Sequence, residues 1–546
     1  MKRVLFTLIL LAIPLSAIGE NFEVCLKEFQ DGKFGHLEAG RDNHGNPVSN
    51  FSDATALTYV SCLEFCGSGQ EPPSWNTLSQ QFSAWLLPWL ALLSQLPFGS
   101  TDILDNLASI VLTVGSPTLA AFSLAITVMN GRWIVQRFQP IRSPTARTVV
   151  RVLSRLQQSP VEVTSGRALT SLVKLEHNHA WWDGMLRDLS YTHTWSIAAG
   201  TSIAWVVIAY VFTVADSFSG DMAGQVHANG QSIGSQWLFL LALVLGWLQI
   251  SPKCDSPRVD HAFDEARSRV YVERPLGGGL PDKLDGQSPD HPIELGRDIL
   301  WESSLRRDEF RHPPVYNYSR VIAWTADVLK IAQAFEVVQA QQSVSPPLAG
   351  YTAPIDRPTV GLWDSGILWR MALASLFALF LQWGTTGAAL IVTIMTPTIG
   401  LGCRSLSFII FGSISTAIWF FMLISALLTH AATGMYKRDH QLSNAQRSYR
   451  SIIKWIAILL RRTCKLAAII NAIGVVVACF FQFTNVFDNC WCNSSVLGLG
   501  VQNAYNVISF TQEDIAALTR AWVGGVVLGI GSATVFMSFI AIQLNS

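Results

Sequence analysis

Seven stretches of about 20 apolar residues, with most Lys and Arg gathered in alternate gaps between them, restrict this chain to one architecture. A run of that length spans the hydrocarbon of a bilayer as a helix, because only a helix satisfies its own backbone hydrogen bonds there. The runs lie at about 107–129, 195–215, 233–250, 371–395, 405–429, 465–483 and 521–543. The expected fold is an all-α polytopic membrane helix bundle of about seven transmembrane helices, or eight if 82–98 also spans.

The distribution of charge orients the chain. Met1-Lys2-Arg3, an apolar run to Ile13, Pro14 and the small residues Ser16, Ala17 and Gly19 have the form of a signal peptide over 1–19. Residues 20–106 are then exported. The gaps 131–194, 251–370 and 430–464 face the cytosol and hold 9, 14 and 7 Lys or Arg. The exported gaps 216–232, 396–404 and 484–520 hold none, one and one. Short loops decide orientation, so the contrast between 430–464 and 216–232 carries the argument. Making 82–98 a full span would export the basic gaps. With Pro88 and Pro97 in that run, a re-entrant or interfacial segment is expected instead. The remaining divisions are membrane helices over 107–250 around the basic loop 131–194, a large cytosolic loop 251–370, and membrane helices over 371–546 around the exported loop 484–520.

Export permits disulfides. Cys25, Cys62, Cys66, Cys403, Cys490 and Cys492 all fall on the exported side or at its membrane edge, and their connectivity stays open. The same side carries the glycosylation sequons at Asn50 and Asn493. Metal binding is the competing reading of Cys62-x-x-x-Cys66 and Cys490-Trp491-Cys492, but no His accompanies either pair.

Chemistry-bearing patterns are sparse. Gly230-Gln231-Ser232-Ile233-Gly234 has the spacing of a nucleophile elbow, without a preceding strand or a carboxylate partner for His227. Glu176, His177, His179, Asp183 and His193 form the best metal-like cluster, yet match no standard ligand spacing, and Trp181-Trp182 beside them suggests an interfacial aromatic anchor. Gly277-Gly278-Gly279 lacks the Lys-Ser/Thr ending of a phosphate loop and reads as a flexible break. No Asp, Glu, Lys, Arg or His lies within the seven apolar cores, which leaves proton relays and ion pathways without their usual groups. Gly525-x-x-x-Gly529 permits close helix contact, within the bundle or in a homo-oligomer.

In the cytosolic gaps, Arg132, Arg137, Arg142, Arg147, Arg151 and Arg155 obey the orientation rule and can touch anionic lipids. Residues 258–273 and 318–341 read as helices. The second carries Val321, Trp324, Val328, Ile331, Phe335 and Val338 at three-four spacing, so one buried stripe is expected. A Pro-rich stretch from Pro346 to Pro358 links it to the fifth span. The gap as a whole shows too little apolar periodicity for a complete enzyme domain. Residues 452–462 suit an interfacial helix.

The runs Gln80–Trp89, Leu112–Pro117, His193–Ile197 and Gly246–Asp255 resemble a group of fungal multi-pass membrane proteins that also start with a signal peptide. The resemblance implies location and architecture, and no functional residues. No catalytic, cofactor-binding or metal residue is assigned, no cofactor is implied, and nucleic acid is not an expected partner. The expected role is a non-enzymatic scaffold or interaction protein in a membrane of the secretory pathway, with the plasma membrane ahead of the ER or vacuole. A transporter of neutral or apolar molecules and a seven-helix receptor or sensor are the alternatives.

Overall fold

The computed structural model describes residues 21–66, 75, 78, 82–98, 100, 102–164, 166–191, 195–219, 225–274, 281–285, 291–296, 303–343, 365–436 and 443–545. The leader over 1–19, His193, the triple glycine at 277–279 and the Pro-rich stretch 346–358 lie outside them. In chain order the helices of seven residues or more are α1 (Phe22–Gln30), α2 (Tyr59–Phe65), α3 (Leu87–Leu93), α4 (Ile103–Gly115), α5 (Pro117–Phe138), α6 (Ala146–Arg155), α7 (Arg167–Lys174), α8 (His179–Asp188), α9 (Ile197–Ser219), α10 (Gln225–Ile250), α11 (Ser256–Arg267), α12 (Asn317–Ser343), α13 (Ser365–Met395), α14 (Cys403–Tyr436), α15 (Asn444–Phe483) and α16 (Gln512–Asn545). The protein is an all-α polytopic helix bundle, and among the described residues α5, α9, α10, α13, α14, α15 and α16 are the seven helices long and apolar enough to cross a membrane.

Short strands decorate the two ends of the bundle. β1 (Gly40–Arg41), β2 (Ala56–Thr58) and β7 (Tyr505–Val507) form an antiparallel sheet in that order at one end. At the other, β3 (Val161–Val163) pairs with β6 (Ile293–Leu295), and β4 (Tyr271–Val272) with β5 (Asp282–Lys283).

The first apolar run is not one helix. Ser116, at φ −144° and ψ 77°, breaks it, and Pro117 opens α5, a position where its missing N–H costs nothing. The helix α4 ends against α15, where a Cβ on Gly115 would stand 2.1 Å from the Ala468 carbonyl oxygen. Asn471 donates from Nδ2 to the carbonyls of Gly115 (2.8 Å) and Phe411 (3.1 Å), satisfying backbone that the break leaves open. A continuous span over 107–129 is therefore replaced by a helix break inside the bundle.

Three disulfides, Cys25–Cys66, Cys62–Cys490 and Cys403–Cys492, gather at one end. They constrain the crossings. Between Cys62 and Cys490 lie six of the seven apolar helices, and between Cys403 and Cys492 lie two, so each pair meets on one side. An additional crossing by 82–98 would separate Cys62 from Cys490. That segment instead forms a π-helical turn over Phe82–Leu86 and the two-turn α3, which packs on α9 and α10 with Trp85 against Gly234.

The opposite end, where the basic gaps lie, carries a cap with its own apolar core. Val149, Val152, Leu169, Leu172, Trp182, Met185, Val259 and Phe263 pack there against Ile331, Phe335 and Val338 of α12. All six residues of the α12 stripe are buried. Gaps that look too poor in apolar residues one at a time thus share a single core. Two expectations are corrected here. Trp181 and Trp182 are 2% and 0% exposed inside this core rather than anchored at an interface. Residues 452–462 are no separate helix either. They are the early turns of the 40-residue α15, which starts from a Ser443–Gln446 capping box.

Candidate functional site

The densest chemistry lies where the cap meets the bundle. It is built on Arg306-Arg307-Asp308-Glu309-Phe310-Arg311-His312, a charged run that would ordinarily face water. Here the segment turns back against the helices. The Ser123 hydroxyl donates to the Val315 carbonyl (2.7 Å), and Asn317 Nδ2 donates to Thr127 Oγ1 (2.6 Å). Arg461 on α15 donates to the carbonyls of Ser304 and Leu305. The buried Arg320 holds the returning loop by donating to the Arg311 and Pro313 carbonyls and to Asn317 Oδ1.

Asp308 is the hub. It is 1% exposed, pairs with Lys465 on α15 and accepts the Tyr318 hydroxyl. Burial alone would raise its pKa, but Lys465 and Arg461 outweigh burial and hold the carboxyl below its ordinary range. Arg311 pairs with Asp105 on α4, so the same loop grips the helix that leads to the break. Lys465 and Arg311 also lie over the Tyr316 ring, at 5.4 and 5.6 Å from its centroid. Burial, reinforced by Arg320, takes His312 down to about 4 and keeps it neutral near pH 7.

Glu309 points the other way, toward a cleft. Arg306 joins Glu309 through Nε and Glu162 on β3 through Nη1, both at 2.7 Å. Burial lifts the Glu309 pKa despite the pull of Arg306. The cleft measures about 400 Å³ and is lined by Glu162, Glu294, Arg306, Glu309, Asp327 and Lys330, with His430 and Thr433 of α14 on its bundle side. Glu162 and Glu294 stand directly opposite on β3 and β6, an arrangement that costs stability unless each has a counter-charge. Arg306 serves the first, and Arg267 approaches the second at 3.6 Å. The cleft pair Arg306–Glu309 thus adjoins, one residue along the chain, the Asp308–Lys465 pair that faces the bundle.

The residues singled out in the sequence fall elsewhere. All six cysteines singled out as disulfide candidates enter the three disulfides, while Cys254, Cys464 and Cys479 are free and buried. Asn50 is exposed. Asn493 is buried, and its Oδ1 accepts from Arg404 Nη1 at 3.0 Å. Ser232 lies inside α10 and donates to the Asn229 carbonyl, so Gly230–Gly234 forms no elbow. Glu176 and His177 sit in an exposed turn before α8, and no group of three or more His, Cys, Asp or Glu among the described residues could hold a metal ion. Of the arginine series, Arg137 pairs with Glu336 and Arg155 donates to the Leu186 carbonyl, whereas Arg142, Arg147 and Arg151 stay exposed. Gly525 and Gly529 are spent inside the bundle, against Val392 and Ala388 of α13.

Sequence reasoning passed over Asp308, Arg306, Glu309, Arg320, Arg461 and Lys465. A faint signal exists in Asp105 and Lys465, acid and base placed at the edges of two apolar runs where charge is expensive unless paired. Compared with protein families, with curated proteins and with solved structures, the chain matches none.

Proposed function

We propose that the chain is a non-enzymatic interaction protein of a secretory-pathway membrane, recognising a charged ligand or partner at the cleft of its cap. The observation that carries this reading is the cleft itself. Its volume of about 400 Å³ falls in the range of ligand sites, and its lining charges Glu162, Arg306 and Glu309 stand beside the Asp308–Lys465 pair that joins the cap to the bundle. Disulfides at the opposite end support export of that end, preceded by a signal peptide and carrying a glycan, because such bonds persist in oxidising compartments. The cap then faces the cytosol, with Arg142, Arg147 and Arg151 near anionic headgroups. The plasma membrane is the proposed destination.

A biotin ligase fused to the C-terminus tests this in living cells. Glu162→Gln with Asp327→Asn removes two cleft charges without touching Asp308. The neighbours labelled by the wild type should fall by roughly tenfold in the variant, the loss expected for a charged contact at an interface. Unchanged labelling by a correctly localised variant would sink the reading.

The helix break at Ser116–Pro117 favours a second reading, a transporter of neutral molecules, because interrupted helices mark midplane binding sites. Solute flux into proteoliposomes distinguishes it.

A further inference from the structure

The end of the bundle that carries the disulfides holds a group of buried side-chain polar atoms to which no described protein group bonds. Both carboxamide atoms of Gln236 and of Gln482 are in this state, as are Asn229 Oδ1, Gln231 Oε1 and the indole nitrogens of Trp85 and Trp89. All six residues are 4% exposed or less. Buried polar groups are bonded as a rule, so a cluster of exceptions calls for a partner.

The exceptions are ordered in space. Asn229 and Gln236 are seven residues apart on α10, which puts them on one face and about 10 Å apart along the helix. Asn229 also lines a cavity of about 30 Å³ together with Thr393, Thr396 and Arg404. A water needs roughly 10–15 Å³ of such space. Thr386 and Gln382 precede Thr393 by seven and eleven residues, so α13 carries a polar stripe inward from the same cavity. There the groups are satisfied by protein. Gln382 Nε2 donates to Thr386 Oγ1 (2.7 Å), Ser415 Oγ donates to Gln382 Oε1 (3.3 Å), and the Ser116 hydroxyl reaches the Ser415 carbonyl (3.0 Å) at the helix break.

The geometry points to an internal hydrated stripe along Asn229 and Gln236, reaching Gln482, Trp85 and Trp89: a site for small neutral hydrogen-bonding molecules, water first. Water both donates to the orphaned carboxamide oxygens and accepts from the indole N–H groups. No ionisable side chain lies on the stripe, and Arg404 at its mouth is already held by Asp488 and Asn493, so a charged occupant would find no counter-charge. The inference stands apart from the cleft and survives its failure.

Hydroxyl-radical labelling of the full chain in lipid nanodiscs, with radicals generated from water by an X-ray pulse, reads hydration directly. Trp85 and Trp89 should be oxidised at least severalfold faster than Trp181, an indole of equal burial in the cap core. Gln236→Leu and Gln482→Leu should each bring that rate down to the level of Trp181. Equal rates in the wild type overturn the proposal even if neither variant folds. Fast labelling that persists in folded forms of both variants also overturns it, because the water would then lie elsewhere.

Discussion

Replacing Lys465 with methionine leaves the Asp308 carboxylate 1% exposed with its closest counter-charge gone. Breaking a buried ion pair from one side costs about 3–5 kcal/mol. The lower end applies here, because Lys465 keeps 26% of its side-chain surface and Arg461 still shares the field of Asp308. A loss of about 3 kcal/mol lowers the unfolding temperature by roughly 3 °C if the whole chain melts as one unit, and by more if the cooperative unit is smaller. The fold supplies its own reporter. Cys254, Cys464 and Cys479 are free and buried, so a thiol-reactive dye fluoresces only as they are uncovered. Asp308→Asn alone should cost less, about 1–2 kcal/mol, because Lys465 can reach toward the interface. The double variant should resemble Asp308→Asn, giving a coupling of about 3 kcal/mol, the whole cost of Lys465→Met. A silent Lys465→Met, or additive effects in the double variant, would refute the claim that this pair joins cap to bundle.

The other expected outcomes concern separate parts of the molecule. Asn50→Gln should abolish the mobility shift produced by endoglycosidase, whereas Asn493→Gln should leave it intact, because only Asn50 is exposed. His312 is neutral in the fold down to about pH 4, while an unfolded histidine takes up a proton near 6.5. Its contribution is therefore complete above pH 6.5 and is lost as pH falls toward 4, on the order of 2–3 kcal/mol. His312→Gln should flatten the melting-temperature profile across that window, and an unchanged profile would show that His312 is not responsible. Gly525→Val should destabilise the bundle, since even a Cβ there meets the Ala388 carbonyl at 3.1 Å. Gly524→Ala, with nothing within 4 Å, should be neutral in the same thermal assay.

The spans were legible because hydrocarbon imposes a length and a composition that little else imitates. The α12 stripe was legible for a similar reason, since Val321 through Val338 can face a core in only one way. What stayed hidden depends on partners distant in the chain. Cys62 bonds Cys490 across 428 residues, and nothing in the local spacing of either announces it. Trp181 and Trp182 read as a membrane anchor because half of what packs against their helix, α11, comes from another gap. The break at Ser116 is disguised by apolar neighbours on both sides. The run Arg306–His312 looks like a solvated surface until Lys465, Arg461 and Asp105 are brought to it. Its role lies in two other segments, α4 and α15.

The central claim is that seven crossings place the disulfides in the exported compartment and the cleft-bearing cap in the cytosol. A reporter that is active only in the cytosol, fused to Ser546, tests it most directly. Activity is the expected result, because α16 is the seventh helix long and apolar enough to cross. A silent reporter joined to a glycosylated C-terminal tag would place that end in the lumen. It would reverse the sidedness of the cap and contradict the account.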